Sequence, residues 1–553
     1  MSRKALFKKR SRPSRPRAVP AVFAEAAALY QSGRFAEALA LAEAALPSSP
    51  HPAQLLNLAA ISAIRLGRRD LAEKHWRTAI QVQPGDAGTH YNLGNLLSEL
   101  KRFPEAEVAY RQVIALQPGD GEAHNNLGNL LSELKRFNEA EAAYRQAIAL
   151  RPGDVEAHNN LGILLLNLRR FHEAEAAFTQ VIALQPGHTE ALYSLGILLS
   201  ELKRFPEAEA VYRQAIALQP EYAEAQWNLS WLLLSLGRFE EAWPLHESRY
   251  HPNKKRRTFP PSLPFPQWQG ESLLGKSILV YPEQGFGDEI QFVRYAPLLK
   301  ARGASRVTLA CKPPLRPLLQ TVADADKVVV LAEDCAIEAS DFWTFPLSLP
   351  LRFQTTLDTI PAALPYLAVD PELVEHWRSR LPSSPFRVGL VWKGAEGQEN
   401  DRNRSLPGLS ALASLWSVPN VSFVSLQKGQ GEEEAFSPPQ DQPLVNLGAE
   451  IRDFADTAAI ISQLELVICV DTAIAHLAGA LGKPCWVLLT AIGTDWRWLR
   501  ERADSPWYPG VLRLFRQEQG EDGWGATVAK VAAALGELRQ GSSGHAITQA
   551  LTA

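Results

Sequence analysis

Apolar residues recur at helical spacing through the first half of the chain and give way to short runs of β-branched residues in the second. Within residues 87–118 the pattern predicts two amphipathic helices, AGTHYNLGNLLSELKR and PEAEVAYRQVIAL, joined by a turn around Arg102 and Phe103. This unit is one of a series. Pro50, Pro84, Pro118, Pro152, Pro186 and Pro220 stand 34 residues apart, and Gly94, Gly128, Gly162 and Gly196 keep the same interval. So do Phe103, Phe137, Phe171, Phe205 and Phe239, with Tyr110, Tyr144, Phe178 and Tyr212 behind them. Two short helices cannot bury their apolar faces alone, so neighbouring units are expected to stack into a superhelix with an extended concave face. Gly94 and Ala106 let helices approach, Tyr110 fills the gap between them, and Gln-Pro-Gly ends the second helix because proline has no N–H to continue it. About seven units are expected over 19–256. The outer ones are degenerate, with Ala60 and Ser230 for the glycine, Arg69 for the phenylalanine and Lys254 for the last proline, as suits caps.

After Tyr250 the segment HPNKKRRTFPPSLPFPQW turns basic and then Pro-rich, and a linker is expected at 257–270. Beyond it, apolar runs at 277–281, 306–311, 327–331, 387–392, 421–426, 466–470 and 485–489 alternate with helical stretches. Strands apolar on both faces predict parallel sheets in α/β order. With a break near 371–386, two Rossmann-like halves are expected, 271–375 and 386–540, the second ending in a closing helix. A ligand would bind at the carboxyl ends of the strands, between the halves.

Composition changes this picture little. A chain of 553 residues exceeds one core, and a net charge of −3 with 46% apolar residues excludes a dedicated nucleic-acid binder. Residues 1–18 carry only basic charge and two prolines, so a disordered tail is expected there, a solvated arm or one in transient contact with a polyanion or anionic membrane, and another tail at 541–553. No run approaches the ~18 consecutive apolar residues of a membrane span, and the basic start lacks the apolar stretch of a signal peptide. Cys311, Cys335, Cys469 and Cys485 are scattered singly, which fits a reducing cytoplasm.

Three segments of the second half sit where a cleft would be. In YPEQGFGDEIQF, Gly285 and Gly287 permit a tight turn and close backbone approach, leaving Asp288 at the start of a helix, where it is either functional or only a cap. A dinucleotide fingerprint is incomplete there, since Ile290 stands at the third glycine and no acid ends the strand RVTLAC. In VWKGAEGQENDRNRSLPGLSAL, Arg402 and Arg404, with Ser405 ahead of a helix, suit a diphosphate; a merely flexible loop is the alternative. In VDTAIAHLAGALGKPCWVLL, Asp471 and Thr472 end a buried strand and His476 lies one helical turn on, a ligand group or a structural histidine. Trp496, Trp498 and Trp507 are expected to pack between the halves, with the lining of a sugar pocket as the alternative, and Glu99 with Arg102 to form a solvated pair. In the repeats, Asn92, Asn126, Asn160 and Asn228, interrupted by Ser194, form a ladder whose carboxamides can both donate to and accept from one peptide unit of an extended chain; asparagines merely tolerated on a wet face are the alternative.

The 34-residue pattern resembles the tetratricopeptide repeat. The segments EQGFGDEIQFVRYAPLL, the RS of NDRNRS, and DTAIAHLAGALGKP together resemble the glycosyltransferase family 9, or heptosyltransferase-like, domain over about 265–515. The third is the most specific, matching the family's D-[ST]-G-x-x-H-L-A-A-A-L-G-x-P except that Ala473 replaces the glycine. The resemblance implies an α-solenoid followed by an α/β GT-B domain of two Rossmann-like halves. It implies Asp288 as catalytic base, with Gly285, Gly287, Asp471, Thr472, Ala473 and His476 around the donor. Arg404 and Ser405 would take the place of the family's phosphate-binding lysine region, and Gln427 and Lys428 would meet the nucleotide base or phosphate. It further implies an inverting glycosyltransferase using a nucleotide-sugar, with no metal and no other cofactor. The repeats would recruit a polypeptide partner or acceptor, a plan similar to that of the O-GlcNAc transferases. A non-catalytic scaffold with a degenerate transferase domain is the alternative.

Overall fold

The structure, a computed structural model, describes residues 19–254, 258–331, 337–397, 400–518 and 523–540. The basic segment 1–18, the tail 541–553 and Cys335 lie outside the described residues. The chain divides into two compact units, Met1–Gln219 and Pro220–Ala553.

In the first unit, helices follow one another in pairs, from Val19–Gln31 and Phe35–Ala45 to Thr189–Glu201 and Phe205–Leu218. The periodic glycines exist for the rings of the same pair. A Cβ on Gly94 would lie 2.9 Å from the Tyr110 ring, on Gly128 2.6 Å from Tyr144, and on Gly162 2.7 Å from Phe178. Gly128→Ala is therefore expected to cost about 1–3 kcal/mol by overpacking, more than alanine's helix preference of ~1 kcal/mol returns, read as a lower urea midpoint of the repeats. The turn within each pair needs a left-handed residue. Gly33 and Gly67 supply it in the first two pairs, whereas Lys101, Lys135, Arg169 and Lys203 adopt φ of 58–60° in the next four.

An ion ladder joins successive pairs. Arg102 bonds Glu73 at 2.7 Å and Glu105 at 2.7 Å, Arg136 repeats this with Glu107 and Glu139, and Arg170 with Glu141 and Glu173. Arg102 thus pairs with Glu73 and Glu105 and not with Glu99, whose carboxylate stands 3.9 Å from Arg69. Spacing within one helix concealed partners that lie on the neighbouring repeat.

The second unit opens with a further helix pair, Ala223–Ser235 and Phe239–His246, and a 3-10 turn, Glu247–Tyr250. Two parallel sheets follow. The first contains β1 (Ser277–Val280), β2 (Arg306–Cys311), β3 (Lys327–Val330) and β4 (Phe342–Thr344) in the order β3-β2-β1-β4. The second contains β5 (Arg387–Val391), β6 (Ser422–Ser425), β7 (Leu444–Asn446), β8 (Leu466–Val470), β9 (Cys485–Leu489) and β10 (Leu512–Arg516) in the order β10-β9-β8-β5-β6-β7. The buried runs in the sequence are these strands. β4 and β7 have only three residues each and carry no pattern of their own. Chain order reverses between β1 and β4 in one sheet and between β5 and β8 in the other, opening a crevice at each carboxyl edge. The closing helix Gly525–Gln540 covers the second sheet's core through Val528, Val531 and Leu535.

Candidate functional site

Both reversal points are occupied by motif residues. The turn after β1 leads into the helix Phe286–Phe292, with Gly285 as its N-cap, and Asp471 and Thr472 follow β8 and open the helix Ala473–Ala480. The two helices meet directly: a Cβ on Gly287 would lie 2.8 Å from the His476 ring and 3.5 Å from the Ala473 Cα. Glycine at 287 is what permits this approach. Phe286 against Phe454, at 5.0 Å, closes a second contact between the halves.

Asp288 serves two neighbours. Its Oδ2 accepts from the Gly285 N–H at 2.7 Å, so the cap suggested by the sequence is present, and its Oδ1 forms an ion pair with Arg497. His476 is buried, its Nδ1 2.9 Å from the Tyr508 hydroxyl and its ring stacked on Trp498 at 5.2 Å. Burial, with Arg497 and Arg294 nearby, lowers its pKa well below the usual value, so the imidazole is neutral. Thr472 Oγ1 accepts from the Ile474 N–H at 3.3 Å as the cap of its helix. Burial, and then the Asp495 charge, push the Asp471 carboxyl up to about 6.

The second segment is a braced loop. Arg404 donates to the Asp471 carbonyl at 3.2 Å, which joins this loop to the third motif, and its guanidinium fills the space beside Gly394. Ser405 Oγ donates to Asp401 at 2.7 Å and accepts from the Gly394 N–H at 2.9 Å. Gln427 is 1% exposed and committed throughout, accepting from the Trp392 and Lys393 N–H groups and donating to the Lys393 and Gln430 carbonyls. It clamps the end of β5. Lys428 donates to the Gly448 carbonyl at 2.9 Å and stays half exposed.

A cavity of about 480 Å³ opens beside this loop, past the carboxyl ends of β5, β9 and β10. Its wall includes Lys393, Arg402, Ser405, Thr490, Gln517 and Trp524. Of these, sequence reasoning singled out Arg402 and Ser405; Lys393 lies in the same segment without being singled out, and Thr490, Gln517 and Trp524 follow strands or sit on loops with no motif. A larger cavity, about 690 Å³, lies at the amino end of β6 against the alanine face of the closing helix, away from every motif residue.

Glu289, next to Asp288, is 3% exposed, and burial raises its carboxyl to about 7 against the pull of Lys312, whose backbone N–H it accepts at 3.3 Å. With an ordinary value of 4.5, the group stabilises the fold while protonated, and that contribution is lost as pH rises through about 7. Glu289→Gln is expected to gain about 1–3 kcal/mol over the wild type at pH 8 and little at pH 4, read from thermal unfolding at the two pH values.

The seventh helix pair grips both halves. Trp243 Nε1 donates to the Thr355 carbonyl at 2.8 Å, and Arg249 is paired with Glu283 and donates to Ser348 at 2.7 Å. On the other half, Trp243 packs on Trp496 at 5.5 Å and Phe239 on Trp507 at 6.0 Å, while Arg500 donates to Ser235 at 2.8 Å. Trp507 also meets Phe292 at 5.7 Å, so the tryptophans pack between the halves and against this helix pair.

In the first unit, first helices of successive pairs touch one another, and the asparagine ladder runs along them. Asn126 donates to the Tyr91 hydroxyl at 2.9 Å and to Asn95 at 3.1 Å, and Asn160 donates to Asn125 at 3.1 Å. These bonds aim each carboxamide, while Asn92 and Asn126 remain partly exposed. Asn228 lies in the second unit, beside Trp227.

This architecture is a tetratricopeptide solenoid followed by an α/β domain with two parallel sheets, part of which is similar to a glycosyltransferase family. The tetratricopeptide repeat model matches residues 4–52, 57–121, 91–155, 125–187, 159–217 and 195–250, and the glycosyltransferase family 9 (heptosyltransferase) model matches 419–490, which contains Asp471 and His476. Protein FlbA of Caulobacter vibrioides is 29% identical over 327 residues, 53% of this chain and 52% of that protein, so the match spans about half of each. Among solved structures, MamA is 21% identical over 30% of this chain and 96% of its own, with a TM-score of 0.29. YrrB, described as a TPR protein with an unusual peptide-binding site, is 22% identical over 33% of this chain and 95% of its own, with a TM-score of 0.30. A tetratricopeptide repeat protein from Parabacteroides merdae is 18% identical over 43% of this chain and 94% of its own, with a TM-score of 0.37. No described helix is long and apolar enough to cross a membrane.

Proposed function

We propose that the protein is a cytoplasmic, inverting, metal-independent GT-B glycosyltransferase that takes its sugar from a nucleotide-sugar, its repeats recruiting a polypeptide partner or acceptor. The observation that carries this reading is the approach of Gly287 to His476, which brings Asp288 beside the start of the Ala473–Ala480 helix with both sheets' reversal points adjacent. In the proposed reaction an acceptor hydroxyl oxygen bonds to the anomeric carbon as the carbon–oxygen bond to the diphosphate breaks. The electron pair leaves with the nucleoside diphosphate, and Asp288 takes the hydroxyl proton. Lys393, Arg402 and Thr490 offer the cavity's polar side to the nucleotide, and Trp524 its aromatic side. A thermal-shift screen with UDP, GDP, ADP, dTDP and CMP, alone and as sugar conjugates, tests the reading. One nucleotide class should raise the unfolding temperature and its conjugate should be hydrolysed.

A second reading is favoured by the same contact. His476 touches the Gly287 turn directly, so the crevice is filled there, and a non-catalytic scaffold would keep it filled. Nucleotide binding without turnover of any conjugate selects that reading.

A further inference from the structure

We infer that Arg497 is a positioning residue that aims Asp288 across the two halves, a role that rests on the transferase reading above. Arg497 is 6% exposed, and its guanidinium uses every edge of its fork. Nη2 pairs with Asp288, Nε donates to Gln291 Oε1 at 2.5 Å, and Nη1 donates to both Asp495 oxygens at 3.0 and 2.9 Å. Asp288 and Gln291 stand one turn apart on the same short helix, so two bonds from one rigid cation fix that helix's rotation as well as its distance. The plane is held in turn by Trp496 at 4.6 Å and Phe292 at 5.6 Å. Asp495 also accepts from the Arg497 N–H at 2.9 Å, and Arg516 donates to the Trp498 carbonyl at 2.6 Å, so the loop bearing the cation is itself tied to β10. A lysine has a point charge and no fork, and reaches Asp288 without fixing Gln291. Each Asp288 oxygen keeps a second lone pair beyond its bonds to Gly285 and Arg497, enough to take a proton from a hydroxyl.

The test uses the full chain and a panel of UDP-, GDP-, ADP-, dTDP- and CMP-linked sugars, with hydrolysis of the conjugate that the wild type turns over as the readout. Arg497→Gln is expected to lower kcat about 100-fold with KM within about threefold, the signature of a misplaced reacting group, and Arg497→Lys to recover about tenfold. The deciding measurement is the double variant. If Arg497 acts through Asp288, adding R497Q to D288N lowers kcat by less than about twofold. Effects that multiply instead, or an R497Q enzyme with wild-type kcat, overturn the positioning role while leaving the transferase reading intact. A wild type that hydrolyses no member of the panel overturns both.

Discussion

Asp288→Asn should lower donor turnover by about 10²–10⁴-fold while the unfolding temperature falls only slightly. Two effects separate cleanly at this residue. The amide cannot take a proton from an acceptor hydroxyl, so any contribution as base is lost. Structurally the change is mild, because Arg497 keeps both bonds to Asp495 and is not left as an unpaired buried charge. What weakens is the cap on Gly285, together with the charge on one ion pair, costing about 1–2 kcal/mol. Asp288→Ala would add an empty space between Gly285 and Arg497 and blur the comparison. Hydrolysis by D288N within about threefold of the wild type would reduce Asp288 to a helix cap and latch, and the base of the reaction would then lie elsewhere in the crevice.

Much of this organisation was legible in the chain because it rests on repetition and on buried runs. Gly128 and Tyr144 recur with their counterparts, and the structure uses each pair for one close contact. The strands β8 and β9 are apolar on both faces, and Asp471 interrupts that run at the sheet's edge. What stayed hidden was anything decided by a partner far away in sequence. Arg497 bonds Asp288 across 209 positions and belongs to a loop whose local sequence, GTDWRWLRE, reads as aromatic packing. Gln427 stands at a strand end, where a ligand group is plausible, yet four backbone bonds consume it. Thr490 and Gln517 became visible only when β9 and β10 brought their ends to one cavity. Nor does the degenerate last repeat announce its role: Ser230 and Lys254 suggest a cap, whereas Phe239 and Trp243 reach the α/β halves.

Trp243→Ala is the substitution expected to be most damaging to the second unit. The side chain is buried, its ring lies 5.2 Å from Phe239 and 5.5 Å from Trp496, and its indole N–H satisfies the Thr355 carbonyl. Truncation removes the ring's burial, leaves a cavity where three elements meet and strands one buried acceptor, which together cost about 3–5 kcal/mol. Tryptophan fluorescence is the suitable probe, since of the chain's 14 tryptophans only Trp76 lies in the first unit. The fluorescence midpoint in urea should fall strongly, and at temperatures where W243A remains folded, conjugate hydrolysis should drop about 10–100-fold because Thr355 and Trp496 no longer share one anchor. Trp243→Phe, which keeps the ring packing but loses the N–H, should fall between the two. A W243A midpoint within about 1 kcal/mol of the wild type would mean that Arg249, with Glu283 and Ser348, holds this helix pair in place without the indole.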